Sequence, residues 1–551
     1  MTAQTPHPVA FPVRIESPSG LIVQVNSNGS VRRIDHGDII LNLFPGNEVE
    51  GGPANIYLRR LEEPVQVVSL LGPRSPAVVH FDARGQLLAS GEWLGIRFKV
   101  SLVLAVSSSA WFWHVQLDNT GDRPVALDLI HTQDLALAHY GAVRLNEYYV
   151  SQYLDHTPLQ HPTRGAVLAT RQNLSMGGRY PWCVIGSLRK GVSFATDALQ
   201  FYGLATRAGA MPLGLQDGLP GARRQHEHAL AAIQDAPFTL EPGERMACGF
   251  FGCFEADHAA ATLEADLVLV DRTLTLQEAT PPDFASTSTE ILPSANLFAT
   301  APLLTAHALD EAEISELFGD ELRAAERENG HTLSFFTGRH THVVLKQKEL
   351  QVLRPHGHIL RTGHALTPDE ASLTSTTWMA GIFHSMVTQG HVSINRFLST
   401  THSYLSLFRT HGLRIFVELA EDWHLLDVPS AYEMTPSGCR WLYRHADGLL
   451  EVRSSAATER HELDLTITDL SGSSRRFLIS NYVAINGDDG IDAVPVRFVS
   501  DDWGISVYPI AESDVGRRFP DGSFRIEPLP GTSLEQVGGD ELLYADGRSR
   551  Q

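Results

Sequence analysis

Sulfur and positive charge are both scarce in this chain. Four cysteines, Cys183, Cys248, Cys253 and Cys439, are spread over 551 residues. None forms a CxxC pair or other zinc-like spacing, which excludes a disulfide-framed scaffold and a zinc ribbon. Cys248 and Cys253 stand in "RMACGFFGCFEA", where an offset of five residues puts them on opposite faces of one strand, as small buried hydrophobes. Lys and Arg number 43 against 64 Asp and Glu, a formal net charge of -21. Such a surface repels a phosphate backbone, so nucleic acid is excluded as a partner and a neutral ligand is compatible. No apolar run reaches the ~20 residues that a bilayer-spanning helix needs. The N-terminus "MTAQTPHPVAFPVRIES" lacks a basic head and a long apolar centre, so the expectation is a cytoplasmic chain with no membrane span. GxxxxGK[ST] and strand-linked GxGxxG are missing too, and no cofactor is expected.

What is present is β-grammar. Ile96, Phe98, Val100, Leu102 and Leu104 alternate with Arg97, Lys99 and Ser101, the pattern of a half-buried strand. In "WFWHVQLDNTGDRPVALDLI" Trp113, Val115 and Leu117 lead to an Asn119-Thr120-Gly121 turn and on to Val125, Leu127 and Leu129, which reads as a hairpin. Many such strands at short spacing define a large β-sandwich over residues 1–275. A linker over 276–335 carries one amphipathic helix. Asp310 and Glu313 have capping-box spacing, Ile314, Leu317, Phe318 and Leu322 form its stripe, and Asn329-Gly330 supplies its stop. From 336 to 551 the β-pattern returns as a second sandwich, with Leu463, Leu465 and Ile467 alternating, a Ser471-Gly472 turn, and Phe477 and Ile479 resuming. "RWLYRHADGLLEV" echoes "AVVHFDARGQLLA", either as an internal duplication or as grammar that hairpins share.

Candidate chemistry concentrates in "RLNEYYVSQYLDHTPLQH" and "GGRYPWCVIGS", which hold Arg144, Asn146, Glu147, Tyr148, Gln152, Asp155, His156, Arg179, Tyr180 and Trp182. Carboxylates and carboxamides match vicinal hydroxyls, and an aromatic face covers the C–H side of a pyranose. Glu147, Gln152, Asp155, Arg179 and Trp182 are therefore the candidate sugar contacts, against the alternative of a packed polar network. Arg59-Arg60 reads as a solvated strand end, with phosphate or carboxylate pairing as the alternative. His340 and His342 share a strand face, and His356, His358 and His364 follow. Without a third ligand at diagnostic spacing no metal site is assigned.

The stretches "LNLFPGNEVEGGPANIYLRR" (Leu41 to Arg60) and "AVRLNEYYVSQYLDH" (Ala142 to His156) resemble the N-terminal region of glycoside hydrolase family 94 phosphorylases of the 1,2-β-oligoglucan type, and the likeness runs on through Gly381 to Glu418. The resemblance implies two tandem galactose-mutarotase-like super-β-sandwiches joined by a helical linker. It also implies phosphorolysis of a β-linked gluco-oligosaccharide with inversion to α-glucose 1-phosphate, inorganic phosphate as the second substrate, no metal, and a homodimer. Such enzymes carry the catalytic acid on a helical barrel that no segment here matches. No catalytic residue is assigned, and a separate barrel-type polypeptide is the expected complement. Two other readings stay open: a free-standing carbohydrate-binding or scaffold protein, and an aldose-epimerase-like enzyme using Glu147 and His156, which rests on fold analogy.

Overall fold

A computed structural model describes residues 11–81, 86–225, 228–282, 289–291, 294–364, 371–389, 397–398, 405–485, 496–501 and 503–550. The chain is mainly β and divides into two compact units. The first takes residues 1–203 and 211–299, the second 204–210 and 300–549.

In the first unit a long antiparallel path runs from Val78–Phe81 through Leu87–Trp93, Ile96–Leu104, Ala110–Asn119, Arg245–Glu255, Trp182–Ser187 and Gly165–Gln172. A parallel pairing of Gly165 with Gly191 joins it to Gly191–Asp197, and antiparallel pairing resumes through Ala229–Asp235 and Val125–Asp134 to Asn55–Arg60. A smaller sheet is built from Val13–Glu16, Leu21–Val25, Val31–His36, Ile39–Ile40 and Ala138–His139. The alternation at Ile96–Leu104 appears, with Ile96, Phe98, Val100 and Leu102 buried and Arg97 exposed, though Ser101 is buried as well and Leu104 only half so. The expected hairpin across Asn119-Gly121 does not form. Ala110–Asn119 is flanked by Ile96–Leu104 and Arg245–Glu255, while Val125–Asp134 pairs with Asn55–Arg60 and Ala229–Asp235. The turn itself is real, since Asn119 Oδ1 accepts the Gly121 N–H at 2.9 Å, but it hands the chain to another part of the sheet.

The second unit is a sandwich. Its seven-stranded sheet, from Arg323–Glu328 to Leu463–Asp469, faces a six-stranded sheet built on Gly357–Arg361, Leu373–Trp378, Ile382–Gln389 and Leu413–Leu419. Between them lie Val344, Tyr432, Trp441 and Val452 from one side and Leu360, Phe383, Ile415 and Val417 from the other. Trp441 crosses Phe383 edge-on at 4.9 Å and donates its indole N–H to the Trp378 carbonyl at 3.1 Å, so its polar atom is satisfied inside the core. The expected turn after Leu463–Asp469 likewise leads elsewhere, because Phe477–Asn481 pairs with Leu413–Leu419. The two echoing segments are both hairpins, Val78–Phe81 with Leu87–Trp93 and Gly438–His445 with Gly448–Ala456.

The capping box at Asp310 is formed. Asp310 accepts the Glu313 N–H at 2.9 Å, and Glu313 accepts the Asp310 N–H at 3.1 Å. The helix is shorter than expected, Glu311–Phe318, and stops at Gly319 with φ 81°. Asn329 and Gly330, at φ 51° and 82°, instead turn the hairpin between Arg323–Glu328 and His331–Thr337, as Asn-Gly does in tight β-hairpins. Ile314, Leu317, Phe318 and Leu322 cover Phe335, Val343, Leu345 and Leu442 on the outer face of the seven-stranded sheet. The longest helices among the described residues have eight residues, and no barrel of helices is present among them.

One short excursion crosses the division of the chain. Leu204–Ala210 belongs to the second unit, where the fully buried Arg207 donates to the carbonyls of Glu349 (2.8 Å), Val352 (2.7 Å) and Leu353 (2.5 Å). Arg409, paired with Asp427 at 2.5 Å, donates to the Thr206 carbonyl at 3.0 Å.

All four cysteines are free and buried, and Cys248 and Cys253 share the strand Arg245–Glu255. Burial pushes the thiols of Cys183 and Cys248 upward and makes them inert. Burial also lowers His131, His156 and His228 to about 3 and His384 to about 4. It raises the Asp134 carboxyl to about 6. The signs oppose. A depressed histidine contributes stability above its unfolded value that is lost as pH falls through the folded one, whereas a raised aspartate contributes stability at low pH that is lost as pH rises. Burial raises Asp35, Glu48 and Asp235 as well, but it also lowers His114, His342 and His445, so the depressed histidines outnumber the raised carboxyls. Stability is therefore expected to fall from about pH 6.5 toward pH 4, each of the four strongly shifted histidines adding roughly 1.4 kcal/mol per pH unit. Thermal melts from pH 7.5 to 4.5 check this. His156→Gln should flatten the slope by one proton, and a Tm independent of pH over that range would contradict it.

Candidate functional site

Two short helices carry the polar and aromatic run. Tyr140–Leu145 buries Val143, then Asn146 swings to an extended conformation (φ -164°) and accepts the Tyr149 N–H at 3.0 Å, capping Glu147–Gln152. Val150 and Ser151 face the interior, and the Ser151 hydroxyl accepts the Ala229 N–H at 2.7 Å. Tyr149 and Tyr153, four residues apart, face outward. Leu154–His161 follows as a strand paired with Gly165–Gln172, and Gln172 Nε2 donates back to the Ala136 and Val150 carbonyls at 2.9 and 3.2 Å. Beyond it the loop returns along the helices: the Asn173 N–H meets the Tyr153 carbonyl at 2.9 Å, and Met176 and Arg179 form a bridge closed by Gly177 and Gly178 at positive φ.

The structure leaves three of the expected contacts, Gln152, Asp155 and Arg179, at least partly open to solvent. Gln152 is exposed beside Tyr153. Asp155 pairs with Arg223, both partly open to solvent. Arg179 reaches Asp38 at 3.2 Å, which also holds His139, the residue before the first helix, at 3.2 Å. Two candidates turn inward. Glu147 is only 7% exposed. Trp182 is fully buried: its indole N–H donates to Thr262 at 3.0 Å, and its ring stacks on His258 at 5.3 Å, a histidine itself held by Asp266 at 3.1 Å. Trp182 therefore packs against Val184, Phe251 and the helix Leu267–Leu274 and has no face open for a sugar. His156 is also interior, its Nδ1 hydrogen-bonded to the Thr170 hydroxyl at 2.9 Å. With Glu147 it lacks the open approach that proton transfer to a sugar requires.

Arg59 is not a solvated strand end. It lies opposite Asp128 in the ladder and binds it through Nε at 2.8 Å and Nη2 at 2.6 Å, both side chains buried, while Gln234 donates to the same carboxylate at 2.8 Å. Arg60 pairs with Glu62 at 2.7 Å. Six residues further along that strand, Asp134 accepts the N–H groups of Leu43 (2.9 Å) and Phe44 (2.6 Å) and the Asn42 amide (3.1 Å). The reading of the sequence missed both aspartates. Their signal is an acidic residue recurring at an even offset, hence on one face, in "VALDLIHTQD", a strand that opens with an apolar run.

Three of the histidines read from the sequence have separate partners: His342 stacks on Phe336 at 4.5 Å, His356 meets Glu349 at 2.7 Å, and His358 meets the Thr435 carbonyl at 2.8 Å. Among the described residues no group of three or more His, Cys, Asp or Glu could hold a metal. Nor is any helix among them long and apolar enough to cross a membrane.

Two family models match the chain: the SOGP N-terminal domain over residues 24–252 and the glycoside phosphorylase supersandwich domain over residues 321–550. The chain matches the N-terminal half of this phosphorylase family over both domains. The chain is similar to the 1,2-β-oligoglucan phosphorylase of Listeria innocua, 30% identical over 516 residues, which cover 92% of this chain and 44% of the relative. The chain thus spans less than half the length of that enzyme. Among solved structures, a kojibiose phosphorylase from the human microbiome matches with TM-score 0.25 and 11% identity over 50% of this chain and 38% of its own. An aldose 1-epimerase from Escherichia coli K12 matches with TM-score 0.24 and 9% identity over 44% of this chain and 98% of its own. Likeness at that level decides nothing about the site.

Two substitutions test these placements. Arg59→Met leaves the Asp128 carboxylate buried beside a single amide donor and should cost about 3–5 kcal/mol in urea unfolding, while Arg59→Met with Asp128→Leu should cost less than the single change. Trp182→Ala should cost about 3–5 kcal/mol. A variant at Trp182 that keeps full stability would contradict its core placement.

Proposed function

We propose that this chain is the substrate-shaping half of an inverting glycoside phosphorylase acting on β-linked gluco-oligosaccharides, with inorganic phosphate as the attacking group in the complete enzyme. The observation that carries the reading is the 30% identity to a 1,2-β-oligoglucan phosphorylase over nearly the whole chain. The exposed members of the polar cluster, Gln152, Asp155 and Arg179, are the proposed sugar contacts, with Glu147 behind them as support. A cytoplasmic location and a homodimer built on the sandwiches complete the proposal.

Inversion needs one carboxylic acid that can reach the glycosidic oxygen and donate a proton to it. The carboxyls whose affinity for a proton is raised here are turned to structural use. Asp134 holds Leu43 and Phe44, Asp235 accepts from Ser187 at 2.8 Å and Arg189 at 2.7 Å, Asp35 accepts from Arg33 at 2.7 Å, and Glu48 takes the Ser27 N–H at 3.0 Å. The reading therefore assigns the acid to a barrel-type partner domain, on this polypeptide or a separate one.

The experiment follows α-glucose 1-phosphate released from β-1,2-gluco-oligosaccharides and phosphate, first with these residues alone and then with a barrel-type protein added. Release only on mixing is the expected result. Release without it would place the acid within these residues and overturn the division of labour. A chain that binds the oligosaccharide but is silent in both would instead be a carbohydrate-binding protein, a reading favoured by the exposed tyrosines described next.

A further inference from the structure

Among the described residues the exposed apolar side chains are mostly scattered. One pair stands apart. Tyr149 and Tyr153 are 46% and 37% exposed, their ring centroids are 4.9 Å apart, and the rings meet at 58°. The backbone beneath them is pinned throughout. Asn146 takes the Tyr149 N–H, Gln172 donates to the Val150 carbonyl, Gln225 donates to the Gln152 and Leu154 carbonyls at 2.8 and 2.7 Å, and the Asn173 N–H takes the Tyr153 carbonyl. Exposed aromatic rings on a rigid support are costly to keep in water and cheap to use for binding, because little freedom is left to lose.

From this geometry we propose that Tyr149 and Tyr153 form a stacking platform for two successive glucosyl units of a bent β-glucan. The inference rests on the glucan reading above and adds to it a position and a linkage preference. Each ring offers a face to the C–H side of one pyranose. Gln152 is exposed beside Tyr153, and Asp155 lies one alternation further on, with buried Leu154 between, so amide and carboxylate flank the rings for hydroxyl contacts. The Asp155–Arg223 pair carries no net charge, which suits a neutral ligand. Because the two rings are far from coplanar, a flat ribbon such as a β-1,4-glucan can lie on one ring only, whereas a chain that turns at each linkage, as a β-1,2-glucan does, can meet both.

The test is isothermal titration of the intact chain with β-1,2-glucopentaose, without phosphate, beside cellopentaose. The double variant Tyr149→Ala/Tyr153→Ala should bind about tenfold more weakly, Tyr149→Phe should stay near wild type because the ring face remains, and cellopentaose should bind about tenfold more weakly than its β-1,2 isomer. Unchanged melting temperatures are expected for these surface variants, so lost binding is not lost folding. Equal binding by the alanine variant would overturn the platform, and equal binding of both sugars would overturn its linkage preference. A changed sedimentation coefficient with no sugar effect would also overturn it, assigning the pair to contact between copies. The phosphorylase reading is judged separately, by glucose 1-phosphate release from the wild-type chain in the presence of a barrel-type protein.

Discussion

Both ends of the stretch Leu41–Arg60 are fastened to one strand. Asp134 holds the N–H groups of Leu43 and Phe44, and Asp128 holds the guanidinium of Arg59, each carboxylate fully buried on the same face of Val125–Asp134. Charge in such a place is tolerated only where every oxygen is met by a donor, and removing one donor leaves a penalty of several kcal/mol. Between the fastened ends the chain folds tightly: Asn47 and Gly51 exchange backbone hydrogen bonds, and a Cβ on Gly46 would lie 2.4 Å from the Val31 carbonyl oxygen. The ends of the stretch that first suggests a phosphorylase are thus anchored as a buttress of the sandwich.

Local features were legible in the sequence and long-range ones were not. The alternation at Ile96–Leu104 and the capping box at Asp310 depend on neighbours within a few residues, and both appear. Strand partners do not. Ala110–Asn119 and Val125–Asp134 follow one another across a clear turn signal, yet the first takes Ile96–Leu104 and the distant Arg245–Glu255 as its neighbours and the second takes Asn55–Arg60 and Ala229–Asp235, both far along the chain. Arg59 looked like surface charge because its partner lies 69 residues away. Asn329-Gly330 was ambiguous for a different reason: a glycine after asparagine serves both helix ends and tight hairpins, and only the extended Arg323–Glu328 decides between them.

The candidate site shows the same division. Trp182 opens "WCVIGS", a run whose six residues are all buried, so its neighbours already marked it as core despite the polar residues before it. Tyr149 and Tyr153 carry the opposite signal, four apart on the outer face of a helix whose inner face holds Val150. What sequence could not supply was the loop Asn173–Pro181 folding back to set the support beneath them, since that contact comes from the far side of a strand pair.

The excursion of Leu204–Ala210 sets an order of events at synthesis. Arg207 leaves the ribosome well before the carbonyls of Glu349, Val352 and Leu353 that receive it. At 5–20 residues per second the wait is roughly 7–30 s. During that interval a guanidinium destined for complete burial must remain in water, and the strands before it must fold without its partners. The second unit cannot be finished from its own contiguous stretch of messenger, and a nascent chain interrupted before residue 353 retains a basic segment with nowhere to dock.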